Sequence, residues 1–133
     1  MSCKAALYAA NTAAQTVTEA ETTVNFGTIV RRYGRGINLS GGDVVVCESG
    51  YYDVDANFTF VATAAGDVTI ALYKDGVRIT GAVVTETVAA ASSYSMSIPT
   101  IVRNTCDCES VITATIVGVA GTIENASIAV ERI

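Results

Sequence analysis

Residues Tyr52 to Ala62 restrict the fold more than any other stretch of this chain. Tyr52, Val54, Ala56, Phe58, Phe60 and Ala62 fall on one side of a two-residue period, and Asp53, Asp55, Asn57 and Thr59 fall on the other. Successive side chains of an extended strand point to opposite faces, so this pattern sets an apolar row against a core and a polar row towards water. After Ala64-Ala65-Gly66-Asp67 the alternation resumes with Val68, Ile70 and Leu72, and it stops at Asp75-Gly76. Both positions of an Asp-Gly pair tolerate positive φ, which a two-residue hairpin turn requires. A long strand, a turn, a second strand and another turn describe an antiparallel β protein. Its core is predicted to contain Tyr52, Phe58, Phe60, Ile70 and Leu72.

The same reading predicts ten strands, near 4–10, 24–30, 37–39, 44–47, 51–63, 68–74, 77–79, 94–103, 111–117 and 123–131. Residues 82–91 are mixed. Their alanines suit a helix, but Val83, Val84, Thr85, Thr87 and Val88 are β-branched and favour an extended chain, which is the expectation adopted. Pro99 cannot donate to a ladder, so its strand is expected at an edge or a bulge. Most glycines fall between the apolar runs, as turn residues do. No repeat or linker divides the 133 residues, so a single domain, 1–133, is expected. Many short strands with turn signals between them indicate a sandwich or jelly roll.

Four segments carry a resemblance to a known superfamily. Gly50-Tyr51-Tyr52 with the apolar run behind it, and Val68-Thr69-Ile70-Ala71-Leu72-Tyr73-Lys74-Asp75-Gly76, resemble central strands of the complement-q and tumour necrosis factor superfamily. Val24-Asn25-Phe26-Gly27 and Asn125-Ala126-Ser127-Ile128-Ala129-Val130 extend the likeness, so that it covers most of residues 24 to 133. The resemblance implies an all-β antiparallel jelly-roll sandwich that forms a homotrimer. Small free-standing members of that superfamily occur in phages and on spore surfaces. The chain has neither a collagen-like Gly-X-Y stalk nor a recognisable signal peptide, which sets it apart from the secreted members.

Composition narrows the function. Charged residues make up only 16% of the chain, against about 25% in ordinary domains, while hydrophobic residues make up 50%. Part of the surface is therefore built of Thr and Ser, and part is expected to be covered by another subunit. The net charge of -5 argues against a nucleic-acid partner, whose phosphates need a basic face. Arg31, Arg32 and Arg35 do cluster; a solvated loop accounts for them, with contact to a phosphate, a glycan or an acidic neighbour as the alternative. No stretch approaches the ~20 apolar residues that span a bilayer. The short run 5–10 is too alanine-rich for an export signal, so synthesis in a host cytoplasm is expected.

Chemistry finds little support. The chain has no histidine, which removes Ser-His-Asp and Cys-His arrangements and every His-ligated metal site. Lys4 and Lys74 do not follow glycine-rich loops, so no phosphate-binding loop exists. Asp53 and Asp55 share the polar face of the long strand about 7 Å apart; they suit a solvated face, a calcium ion, or a paired-carboxylate reaction, in falling order. Of the four cysteines, Cys106-Asp107-Cys108 is a C-x-C pair, a spacing at which a mutual disulfide strains the loop and is seldom formed. Free thiols, a disulfide from Cys47 to Cys106 or Cys108, and a zinc site completed by Cys3 are the readings. The expectation is that no metal or cofactor is bound and that the chain is not an enzyme.

Tyr51, Val61, Ala71 and Tyr73 lie opposite the core-facing row, and they are predicted to form one apolar patch at the trimer interface. The expected function is a structural homotrimer of a phage virion, as a capsid decoration protein or head fibre, with capsid or other virion proteins as partners. The alternative is a receptor- or glycan-binding tip of a tail fibre or surface appendage. That reading needs exposed aromatics in a groove, and Tyr8, Tyr33 and Tyr94 are the candidates.

Overall fold

The computed structural model describes residues 4–133, in which the chain forms twelve strands and no helix. In order these are β1 (Ala6–Asn11), β2 (Gln15–Val17), β3 (Thr22–Thr23), β4 (Thr28–Tyr33), β5 (Ile37–Ser40), β6 (Asp43–Val46), β7 (Gly50–Ala62), β8 (Gly66–Lys74), β9 (Val77–Val88), β10 (Ser93–Asn104), β11 (Ser110–Val117) and β12 (Gly121–Arg132). They build two antiparallel six-stranded sheets. The first runs β10-β7-β12-β1-β4, with β2 added to β12; the second runs β5-β6-β11-β8-β9, with β3 added to β11. No helix among the described residues is long and apolar enough to cross a membrane.

The two sheets pack face to face because each carries an apolar row at every second residue. Tyr52, Val54, Ala56, Phe58, Phe60 and Ala62 of β7 are all buried, as are Val68, Ile70 and Leu72 of β8. Ile112, Ala114 and Ile116 of β11 and Ile128 and Val130 of β12 complete the rows. Phe26 enters from the link before β4 and sets its ring 5.9 Å from that of Phe58. All five residues predicted for the core are there.

The turn at Asp75-Gly76 also forms as expected, with φ of 52° and 81°, and joins β8 to β9 within one sheet. The turn at 63–65 does something different. It carries the chain from the first sheet to the second, so β7 and β8 face each other across the core instead of lying side by side. Residues 82–91 are extended as far as Val88. Pro99 lies in β10, which pairs only with β7 and is an edge of its sheet.

Two expectations about local structure are corrected. The strand expected over 24–30 forms only from Thr28 onward, as the start of β4, which pairs with β1 in the first sheet; residues 24–27 are a link that follows β3, which pairs with β11 in the second sheet. Gly27, at φ 79°, makes the crossing where a side chain would run into the carbonyl oxygen of Ala10. Among the described residues, Cys106 and Cys108 pair with each other in a disulfide, and Cys47 is free. The segment between β10 and β11 is a bend and not a strand. Its Cα atoms come within 5.2 Å, inside the range that a disulfide accepts. Cys3 lies outside the described residues.

At this end of the sandwich polar contacts tie the loops together. The Tyr52 hydroxyl donates to the Glu48 carbonyl at 2.6 Å, and the amide of Asn104 donates to the carbonyls of Glu48 and Cys108. Arg132 donates to the Glu48 carboxylate and to the Ser49 carbonyl, each at 2.7 Å. A β-carbon at Gly50 would sit 3.1 Å from Nε of Arg132, so the glycine of Gly50-Tyr51-Tyr52 leaves room for this fork. Burial raises the pKa of Tyr52 despite the nearby arginine.

Two outcomes follow for stability. Phe58→Ala should lose about 3–5 kcal/mol, as large aromatic truncations in cores do; an unchanged unfolding midpoint would mean that the facing of β7 is wrong. The Val111 N–H donates to Asp75 at 2.9 Å and lowers the carboxyl's pKa. The stability this contact adds is therefore present above the unfolded value of about 3.9 and is lost as pH falls through the lower folded value. Asp75→Asn keeps a residue that tolerates the turn, and it should flatten the acid arm of the stability profile. Identical acid sensitivity in both proteins would refute this contribution.

Candidate functional site

The outward face of the first sheet carries the exposed tyrosines Tyr8, Tyr33 and Tyr51 and the exposed Ile101, while Val77, Val83 and Val117 are exposed on the second. Strand register fixes the rows of the first face. Ile101 of β10, Asp53 of β7, Glu131 of β12, Ala6 of β1 and Tyr33 of β4 lie side by side. The next row is Pro99, Asp55, Ala129, Tyr8 and Arg31. Because the inward residues of these strands fill the core, alternation leaves these side chains facing out. Tyr8, Tyr33, Tyr51, Ile101 and Ile133 keep 41%, 67%, 50%, 60% and 69% of their surface exposed.

Between β7, β12, β1 and β4 the face dips into an open groove of 240 Å³. Tyr8 and Tyr33 line it together with Arg31, Asp53, Asp55 and Glu131. At the far edge of the same sheet the guanidinium of Arg103 lies 5.5 Å from the centre of the Tyr51 ring, a cation–π distance. The other end of the face is small and polar: Ser97 donates to Asn57 at 2.7 Å, and Ser93, Ser95 and Thr59 lie nearby.

The four residues predicted to form one patch do not lie on one surface. Tyr51 and Val61 stand on the outward face of the first sheet, near opposite ends of β7. Ala71 and Tyr73 stand on the outward face of the second sheet, and Ala71 is buried among its neighbours there. The physical reason is the crossing at 63–65. Strands that share a core from opposite sheets turn their other faces away from each other, so a row on β7 cannot continue onto β8.

Of the three tyrosines considered for a groove, Tyr8 and Tyr33 meet in it. Tyr94 does not; it packs against the core, and its oxygen accepts the Ala89 N–H at 2.9 Å. Asp53 and Asp55 lie on the exposed face as the alternation requires, beside Glu131. Among the described residues no group of three or more Cys, Asp or Glu is disposed to hold a metal ion. Arg31 and Arg32 belong to edge strand β4 and not to a loop, while Arg35 is in the bend after it. Glu131 and Ile101 escaped the sequence reading. Their place in the site depends on which strands become neighbours, and only Ile101, an isoleucine on the polar side of an alternating strand, gave a local sign.

No protein-family model matches this sequence, and no curated protein shows a significant match to it. Solved structures do. The crystal structure of murine APRIL at pH 8.5 superposes with a TM-score of 0.76 over 98% of this chain and 99% of that one, at 15% identity. Eiger TNF from S. frugiperda gives 0.67 over 98% and 91%, at 12% identity. The PRD1 vertex protein P5 gives 0.65 over 97% of this chain and 73% of that one, at 14% identity. With two antiparallel sheets in this order, the chain has a tumour necrosis factor-like jelly-roll fold.

Proposed function

We propose that this chain is a non-enzymatic structural protein that assembles as a homotrimer at the surface of a virion, as a capsid decoration protein or head fibre. The observation that carries the proposal is the outward face of the first sheet. Tyr8, Tyr33, Tyr51 and Ile101 stand exposed on one surface, in a chain whose charged fraction is only 16%. They flank an acidic centre of Asp53, Asp55 and Glu131 on that face. Aromatic residues are enriched in subunit interfaces. The likeness to the PRD1 vertex protein P5 supports the virion setting, with capsid or other virion proteins as the neighbours. On this reading Tyr51 and Val61 belong to the interface, while Ala71 and Tyr73 lie on the far sheet, Ala71 buried within its own chain and Tyr73 half-exposed.

A second reading has one observation in its favour. Tyr8 and Tyr33 stand over carboxylates in an open groove, an arrangement in which aromatic faces stack on a sugar ring and acids accept its hydroxyls. In that case the chain is a receptor- or glycan-binding tip.

Light scattering separates these readings. The purified chain should give a mass three times 13.7 kDa at micromolar concentration. Tyr33→Asp and Tyr51→Asp should bring it to the single-chain mass with β-type circular dichroism intact, and Tyr73→Asp should leave the assembly whole. A stable single-chain mass for the native protein would reject the proposal and favour the glycan reading.

A further inference from the structure

We infer that Cys47, Cys106 and Cys108 form a thiol–disulfide exchange site with two bonded states. The structure holds the first state, with Cys106 bound to Cys108 and Cys47 free. In the exchange the Cys47 thiolate attacks Sγ of Cys108. A Cys47–Cys108 bond forms, the Cys106–Cys108 bond breaks, and Cys106 leaves with the electron pair as a thiolate. One disulfide and one thiol stand on each side of the step, so it needs no oxidant. The inference stands independently of the assembly proposed above, and three observations lead to it.

The first is placement. The link 47–49 carries the chain from β6 in the second sheet to β7 in the first, and the link 105–109 carries it from β10 in the first sheet to β11 in the second. These two crossings run side by side in opposite directions. Val46 of β6 pairs with Ser110 of β11. Beyond that pair the contact continues in irregular form. The Asn104 side-chain amide donates to the carbonyls of Glu48 and Cys108, at 3.2 and 2.9 Å. The Ser49 N–H donates to the Asp107 carboxylate at 2.9 Å. Glu48 is thereby set against Cys108 and Ser49 against Asp107, which leaves Cys47 one residue out of step with Cys108. A chain separation of about 5 Å with an offset of about 3.4 Å places their Cα atoms about 6 Å apart, within disulfide range.

The second is the condition of the sulfurs. Cys106 and Cys108 are both exposed, and Cys47 is half-buried. Exposed disulfides are the labile ones. The bond in the first state joins residues only two apart in sequence, so it restrains little of the unfolded chain. A Cys47–Cys108 bond closes the chain from β6 to β11, and the restraint a disulfide supplies grows with the loop it closes.

The third is what receives the leaving group. Sγ of Cys106 lies 3.9 Å from Oδ1 of Asn104, a residue only 2% exposed. The same oxygen accepts the Ser110 hydroxyl at 3.3 Å. The nitrogen of Asn104 thus aligns the two crossings, and its oxygen offers an acceptor to the Cys106 thiol once that sulfur is released and protonated. In the first state the crossings are joined by hydrogen bonds. In the second a covalent bond clamps them at the end where Arg132 meets Glu48.

The test maps the bonds in the full chain, purified without reductant and held in mildly alkaline buffer. Free thiols are blocked with N-ethylmaleimide, the chain is cut at Asp107 to separate Cys106 from Cys108, and mass spectrometry reads the linkages. The native protein should show both the Cys106–Cys108 and the Cys47–Cys108 bond within one chain, with the label divided between Cys47 and Cys106. Cys47→Ser should lose the label at Cys106 and keep only the Cys106–Cys108 bond. Cys106→Ser should carry the Cys47–Cys108 bond. Circular dichroism checks that both variants keep the β fold. A native chain with its label confined to Cys47 would overturn the inference. Label at Cys106 in Cys47→Ser would also overturn it, because another thiol would then be the attacker. So would label on all three cysteines, or a Cys47–Cys108 bond found only between chains.

Discussion

The burial of two alternating apolar rows against each other is the constraint on which this structure depends. β7 presents Tyr52, Phe58 and Phe60, and β8 presents Ile70 and Leu72, from opposite sheets and into one core. Apolar burial contributes roughly 25 cal/mol per Å² removed from water, so the facing of these rows outweighs local preferences along the strands. Once it is set, every outward residue is set with it. The exposed face of the first sheet is what remains after the core has taken its half of each strand.

That face gathers several of the exposed aromatics: Tyr8, Tyr33, Tyr51 and Ile101 share one sheet with a groove and an acidic centre, in a chain with 16% charged and 50% hydrophobic residues. The polar ties at the end of the sandwich hold this sheet in shape. Arg132 closes β12 onto Glu48 and Ser49, and Asn104 closes β10 onto the carbonyls of Glu48 and Cys108. Both strands carry proposed interface residues within a few positions of these anchors. A rigid frame lowers the ordering cost of association.

Much of the fold was legible because period-two alternation reports facing directly. The strand over 51–63, the strand over 68–74, the turn at Asp75-Gly76 and the edge position of Pro99 all follow from residue type and spacing. What alternation cannot report is which sheet a strand joins. The link at 63–65 reads the same whether it turns a hairpin or crosses the core, and that one ambiguity sent Ala71 and Tyr73 to the wrong face. That residues 24–27 link the sheets and only 28–30 are strand was hidden for the same reason, with only Gly27 marking the break. In the groove, Tyr8 and Tyr33 could be picked out as exposed aromatics. Glu131 could not, because its neighbours Asp53 and Ala6 come from strands far away in sequence.

The central claim is that the outward face of the first sheet is covered when the protein assembles and that of the second sheet is not. Hydroxyl-radical footprinting of the native protein in solution, read tyrosine by tyrosine, tests it most directly. Tyr8, Tyr33 and Tyr51 should be protected well beyond what their exposure in a single chain allows, while Tyr73 should react as its half-exposed position dictates. Free reaction at Tyr8 and Tyr33, or protection confined to Tyr73, would contradict the account.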